Sequence, residues 1–193
     1  MMNNPSQDPN GFYNTLIIAG FGGQGVLVIG NLLAYAAMKE GRHVSFLPFY
    51  GVEMRGGTAD CTIVISSQQI GSPVVDRAHS VIAMNQASLS KFEPRVQTQG
   101  LLLINSSLIN PKETTREDVH LLPVPANDIA RENGNPKLAN MVALGAFIEK
   151  TKWVRMNSLF ESFENILDQR YHPLIPSNIK AIQKGAAFVE SLP

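Results

Sequence analysis

The run Ile17-Ile18-Ala19-Gly20-Phe21-Gly22-Gly23-Gln24-Gly25-Val26 constrains this chain more than any other stretch, because it joins a short apolar strand to a helix through four glycines. A strand that empties into a glycine-rich turn and then a helix N-terminus aims backbone N–H groups and the positive helix end at one spot, which suits an anion. Gly20, Gly22 and Gly25 fit the G-x-G-x-x-G spacing, in which glycines permit the tight turn, the close backbone approach and the packing of helix on strand. The same spacing also serves a turn that only packs a helix onto a sheet, so the flanking residues decide. Thr15 to Ala19 reads as a buried strand, and Val26 to Lys39 as a long apolar helix without Pro, closed by Gly41.

A dinucleotide-binding unit continues with a second strand ending in Asp or Glu, whose carboxylate takes the ribose hydroxyls. Here the second strand candidate, His43 to Phe49, ends in an aromatic residue. Glu53 comes four residues later, inside Tyr50-Gly51-Val52-Glu53-Met54-Arg55-Gly56-Gly57, a second glycine-rich loop. Ordinary NAD binding loses ground, and the ligand of the first loop stays open at this point.

Sixteen basic and sixteen acidic side chains cancel, so no general field draws the chain to nucleic acid or anionic lipid. No apolar run reaches the roughly 18–20 residues of a membrane span, and the polar N-terminus is unlike a signal sequence; a cytoplasmic protein is expected. Cys61 is the only cysteine, so an iron–sulfur cluster, which needs several thiolates, has no home on this chain alone. Within the β-branched run Asp60 to Ile65 it reads as a small core residue rather than a reactive thiol. The spacing of His43, His79, His120 and His172 gives no metal site, and none is assigned.

Residues 1–11, rich in Asn, Pro, Ser and Gln, read as a flexible tail, and 12–193 as a single domain. Strand candidates follow at His43 to Leu47, Cys61 to Ile65, Ser80 to Met84, Leu101 to Ile104 and Leu121 to Val124, at the spacing of a sheet with interleaved helices. Asn85 to Phe92 reads as a short helix and Gln99-Gly100 as the turn before the fifth strand. Asn135-Pro136 opens a helix through Lys150; Ser158 to Gln169, with Ser158 and Glu161 at capping-box spacing, and Pro176 to Leu192 are two more. The expected fold class is α/β: a three-layer, mostly parallel, Rossmann-like sheet with helices on both faces and a helical C-terminal part. The first helix is apolar on every side, so either the C-terminal helices or another subunit should cover it.

Taken together, the two glycine loops, Ile70-Gly71-Ser72-Pro73, Ala83-Met84-Asn85-Gln86, Gly100 to Ser107, Val124-Pro125-Ala126 and Asn140 to Gly145 resemble the gamma subunit of the 2-oxoacid:ferredoxin oxidoreductases. The resemblance covers roughly Thr15 to Lys150, and around the second loop it is greatest to the 2-oxoglutarate branch, with the 2-oxoisovalerate branch also open. It implies a subunit, inactive alone, of an enzyme that decarboxylates a 2-oxoacid, reduces ferredoxin and acylates coenzyme A. Thiamine diphosphate and the iron–sulfur clusters would then sit on partner alpha and beta subunits, with a ferredoxin-like delta subunit in some complexes.

Under that resemblance the phosphate at the first loop belongs to coenzyme A. Gly20, Gly22, Gly23, Gln24 and Gly25 would hold it with backbone N–H groups, joined by Arg55, Gly56 and Gly57 of the second loop and by Asn85. Arg55 suits a carboxylate or phosphate, and equally an ion pair that shapes the loop. Asn85, Ser106 and Ser107 follow strand ends, where they either orient a ligand or cap helices. Asn140 reads as a satisfied buried amide. No Ser-His-Asp arrangement, paired carboxylates or activated thiol is apparent, so no catalytic residue is assigned. Two rival readings are a free-standing NAD(P)-binding oxidoreductase and a module whose glycine loops serve subunit packing.

Overall fold

A computed structural model describes residues 11–50 and 58–192. In chain order the elements are β1 (Tyr13–Phe21), α1 (Val26–Lys39), β2 (His43–Tyr50), β3 (Thr58–Ser66), β4 (Ala78–Ala83), α2 (Gln86–Phe92), β5 (Val96–Asn105), β6 (His120–Val124), α3 (Ala126–Glu132), α4 (Ala139–Thr151), α5 (Met156–Ile166) and α6 (Ile175–Glu190). The strands form one sheet in the order β2-β3-β1-β4-β5-β6. The pairs β1–β4, β4–β5 and β5–β6 are parallel, whereas β3 runs antiparallel to both its neighbours, β1 and β2. The sheet is thus mostly parallel, with β3 inverted.

With that inversion, the expectation of a mostly parallel sheet with interleaved helices is borne out only in part. Only seven residues, 51–57, separate β2 from β3, fewer than the dozen or so that a parallel crossover needs, so the two strands return on each other as a hairpin. Two smaller expectations also fail. Gln99-Gly100 is no turn: both residues lie inside β5, where Gln99 takes a positive φ of 61° and the register against β4 slips between Ala78–Val96 and Ser80–Leu101. A bulge absorbs the extra residues without ending the strand. Ser158 caps nothing: α5 begins at Met156, and Ser158 is buried within it, its carbonyl accepting the Ser162 hydroxyl at 2.6 Å.

Successive strand residues serve opposite layers. Leu16 and Ile18 of β1, with Leu101 and Leu103 of β5, pack under α1, α4, α5 and α6; Ile17, Ala19, Leu102 and Ile104 face the smaller layer with Leu89 and Phe92 of α2. Because both faces are covered, the strands read as continuous apolar runs. Cys61 lies on the thicker side, fully buried, its thiol pushed up to about 12 by desolvation and then by the Asp60 carboxylate. The outer side of α1 is covered by α5, fastened by ion pairs Lys39–Glu161 (3.1 Å) and Arg155–Glu40 (3.3 Å). The C-terminal helices therefore supply most of the cover that the all-apolar α1 requires; Val28 and Met38 stay exposed.

At the sheet edge remote from the glycine turn, His79 Nδ1 lies 3.2 Å from the Thr15 N–H and 2.8 Å from Thr15 Oγ1. Burial holds its pKa below the ordinary value. A histidine kept neutral in the fold takes up its proton more readily when unfolded, so its contribution is complete above the unfolded pKa of about 6.5 and is lost as pH falls below it toward the folded value. Urea melts at descending pH should show stability declining below pH ~6.5, with a shallower decline in a His79→Gln variant. An identical pH slope in the variant would assign the effect to other groups.

Candidate functional site

The glycine turn closes on itself before it meets anything else. Gln24 N–H donates to Phe21 O (3.0 Å), and the Gln24 side-chain carbonyl accepts the Phe21 N–H in return (2.7 Å). This commits the Gln24 backbone N–H, expected to face a phosphate, to the turn itself. Gly23 and Gly25 take φ of 92° and 69°, a region open to glycine at little cost. Gly25 is the N-cap of α1, and no side chain caps that end. A methyl on Gly25 would overlap the Asn140 amide, whereas beside Gly23 there is open space. Gly20 packs against Gln24, Val26 and Met84, which makes it a packing residue rather than a contact for ligand.

Side-chain amides tie this turn to the ends of β4 and β5. Asn85 does two jobs: its Oδ1 caps α2 by accepting the Ser88 N–H (2.9 Å), and its Nδ2 donates to Gln24 Oε1 (2.8 Å). The Met84 carbonyl accepts from Gln24 Nε2 (3.4 Å) and from Asn105 Nδ2 (3.3 Å), and Asn105 Nδ2 also donates to Asn127 Oδ1 (2.7 Å). Asn105 is fully buried, and its own Oδ1 has no partner among the described residues. Asn140 Nδ2 donates to the Gly25 carbonyl (3.3 Å), satisfying one side of the amide and pinning the start of α4 to the start of α1. Ser107 Oγ donates to Asp128 Oδ2 (2.7 Å) and accepts the Asp128 N–H (3.2 Å). With Arg131 adding its charge, this bond holds the Asp128 carboxyl below its ordinary pKa.

Above these amides lies a cavity of about 350 Å³ lined by Gly23, Gln24, Met84, Asn127, Lys137 and Asn140, among others. It sits at the carboxyl edge of the parallel strands, where open α/β sheets bind ligands. Lys137 is exposed and forms no ion pair among the described residues. With the N-termini of α1 and α4 it gives the cavity a positive end. Of the expected site residues, Gly20, Gly22, Gly23, Gln24, Gly25 and Asn85 belong to this one edge; Arg55, Gly56 and Gly57 lie outside the described residues. Sequence reasoning missed Asn127 and Lys137. Each had a signal: Asn127 follows β6 by three residues, and Lys137 follows the Asn135-Pro136 start whose Asn135 Oδ1 accepts the Lys137 N–H (3.1 Å).

Among the described residues no three His, Cys, Asp or Glu side chains converge as metal ligands, and no helix is long and apolar enough to cross a membrane. Among the described residues, then, an α/β domain gathers a glycine turn, an amide cluster and a lysine without an ion pair at one edge of its sheet. The family described as pyruvate ferredoxin/flavodoxin oxidoreductase matches residues 15–188, and the chain belongs to that family. It is 43% identical over 192 residues to the ketoisovalerate oxidoreductase subunit VorA of Methanothermobacter thermautotrophicus, covering 95% of this chain and 38% of that one. It is 32% identical over 157 residues to the 2-oxoglutarate synthase subunit KorC of Archaeoglobus fulgidus, covering 77% of this chain and 80% of that one. Its fold is similar to 2-oxoglutarate:ferredoxin oxidoreductase from Magnetococcus marinus, solved with 2-oxoglutarate, coenzyme A and succinyl-CoA bound: TM-score 0.85, 24% identity, 94% of this chain and 32% of that one. The chain thus spans little more than a third of the VorA relative that it matches.

Proposed function

We propose that this chain is the gamma-type component of a 2-oxoacid:ferredoxin oxidoreductase and that its cavity at the glycine turn receives the phosphate end of coenzyme A. The observation that carries the reading is the meeting of Gly23, the starts of α1 and α4, and Lys137 around one space of about 350 Å³. Pyrophosphate oxygens fit such a place: N–H groups at helix starts and a mobile ammonium neutralise them, while the Gln24–Asn85–Met84 bonds hold the turn in shape. The missing ribose carboxylate, awkward for NAD, needs no explanation here. Coenzyme A in the structurally similar Magnetococcus marinus enzyme supports the same ligand class.

The described residues offer no nucleophile or general base at this cavity, so its work is binding and orientation; decarboxylation and electron transfer belong to thiamine- and cluster-bearing alpha and beta subunits, from which ferredoxin takes the electrons. Coenzyme A, when bound, supplies the thiol that accepts the acyl group. Of the two branches, higher identity to the ketoisovalerate relative favours a branched 2-oxoacid, while the second-loop motif Tyr50 to Gly57 favours 2-oxoglutarate. The assembled enzyme assayed on both acids decides between them. In the same preparation, Lys137→Glu should raise KM for coenzyme A at least about tenfold, with KM for the oxoacid unchanged, because one attractive charge becomes repulsive at a partly exposed phosphate site. An unchanged KM for coenzyme A would remove the phosphate from this cavity.

A further inference from the structure

On the thinner side of the sheet, between β2–β3 and α2, lies a second cavity of about 260 Å³, lined by Leu47, Phe49, Asp60, Val74, Lys91, Phe92 and Arg95, among others. We infer that this is a docking socket for another chain of the oxidoreductase, and that it takes an apolar side chain accompanied by a carboxylate. The inference rests on the proposed membership of a multisubunit enzyme.

Three observations point to that occupant. Val74 is 77% exposed and Phe49 is 47% exposed, two large apolar side chains at the lip of one cavity. Val74 is also held in place: its N–H donates to Ser72 Oγ (3.2 Å), while Arg95 donates to the carbonyls of Val75 (2.5 Å) and Asp76 (2.9 Å) on either side of the next peptide bond. An exposed apolar residue on a hydrogen-bonded loop loses little further entropy on burial, which is the profile of an interface anchor. The charges then select the partner. Asp60 is nearly buried and paired with Lys91 at 3.2 Å, so these two cancel. Arg95 lies over the Phe92 ring at 5.5 Å and meets carbonyls but no carboxylate among the described residues, leaving one net positive charge beside apolar walls. The cavity is smaller than the roughly 300–1,000 Å³ of small-molecule sites, and its size suits a side chain.

The test uses the complex, with the chain co-expressed alongside its thiamine-dependent and cluster-bearing partners. Val74→Asp should lower recovery of those partners on the tagged chain at least about tenfold, the loss of one interface anchor, with the melting temperature of the isolated chain unchanged. Met38→Asp, an exposed apolar position on α1, should recover them as the wild type does. Partner recovery by Val74→Asp equal to wild type overturns the socket alone. Wild-type self-association that Val74→Asp abolishes would assign the socket to a second copy and overturn the partner assignment. A wild-type chain that recovers neither partner overturns the proposed function, and the socket with it.

Discussion

A Gly185→Val variant should melt roughly 6–12 °C below the wild type, the shift expected for a loss of about 3 kcal/mol in a domain of this size. Glycine inside a helix is ordinarily a small liability. Here α4 and α6 approach until backbone touches backbone, so that a methyl on Gly185 would overlap the Val142 carbonyl and one on Gly145 would overlap the Ile182 carbonyl. The two glycines form a reciprocal contact across one crossing. Every residue from Ala139 to Ile148 is buried, so α4 has no free side toward which it can retreat. A branched side chain must either push α6 away, exposing Ile182 and Ala181, or strain both helices. Thermal melts followed by circular dichroism provide the measurement, and a shift under about 2 °C would show that the crossing can open without much cost.

The second large effect is expected in binding. Gly25→Ala in the assembled enzyme should weaken coenzyme A by at least about tenfold, more than Gly23→Ala does. Both glycines have positive φ, so both variants carry the conformational penalty of roughly 1–2 kcal/mol for an L residue in that region. Only at Gly25 would the new methyl also collide with Asn140 and break the bond from its amide to the Gly25 carbonyl. That bond sets the distance between the starts of α1 and α4, and both helix starts border the cavity. Calorimetric titration of coenzyme A against the two variants separates the contributions. Equal weakening would mean that turn strain alone controls the site and that the α1–α4 clasp is incidental to it.

Elements with a strong local signature were legible in the chain. The α1 boundaries, Val26 to Lys39, follow from a glycine turn before them and Gly41 after them, and α2 from Asn85, whose side chain caps it. What escaped was decided by tertiary contact. The hydrophobic pattern of Thr58 to Ser66 is that of a buried strand in either direction, so only the shortness of the 51–57 link could reveal its inversion. α3, which no strong periodicity announced, is held by Ser107 and Asp128 across 21 residues of sequence. Lys137 was missed because it directly follows Pro136, and Asn127 because it comes two residues after Pro125; in each case the proline drew the attention that belonged to its neighbour. The glycine turn was read as a row of phosphate-binding amides, whereas its Gln24 N–H is used to close the turn. The spacing of the glycines marks the turn, but which of its donors the turn keeps for itself is settled by the Phe21–Gln24 bonds that close it.

The inverted strand has an engineering consequence. Thr58 pairs with Phe21 and Tyr50 with Ala59, so the chain leaves the sheet at 50 and re-enters it at 58 on the same edge as the glycine turn. Both ends of the span are held in the sheet ladder. Exchanging residues 51–57 between relatives therefore works as a cassette replacement: the mounting stays in register while the inserted segment varies. An exchange of that kind carries Arg55, Gly56 and Gly57 with it, while the strand ends at Tyr50 and Thr58 keep their partners.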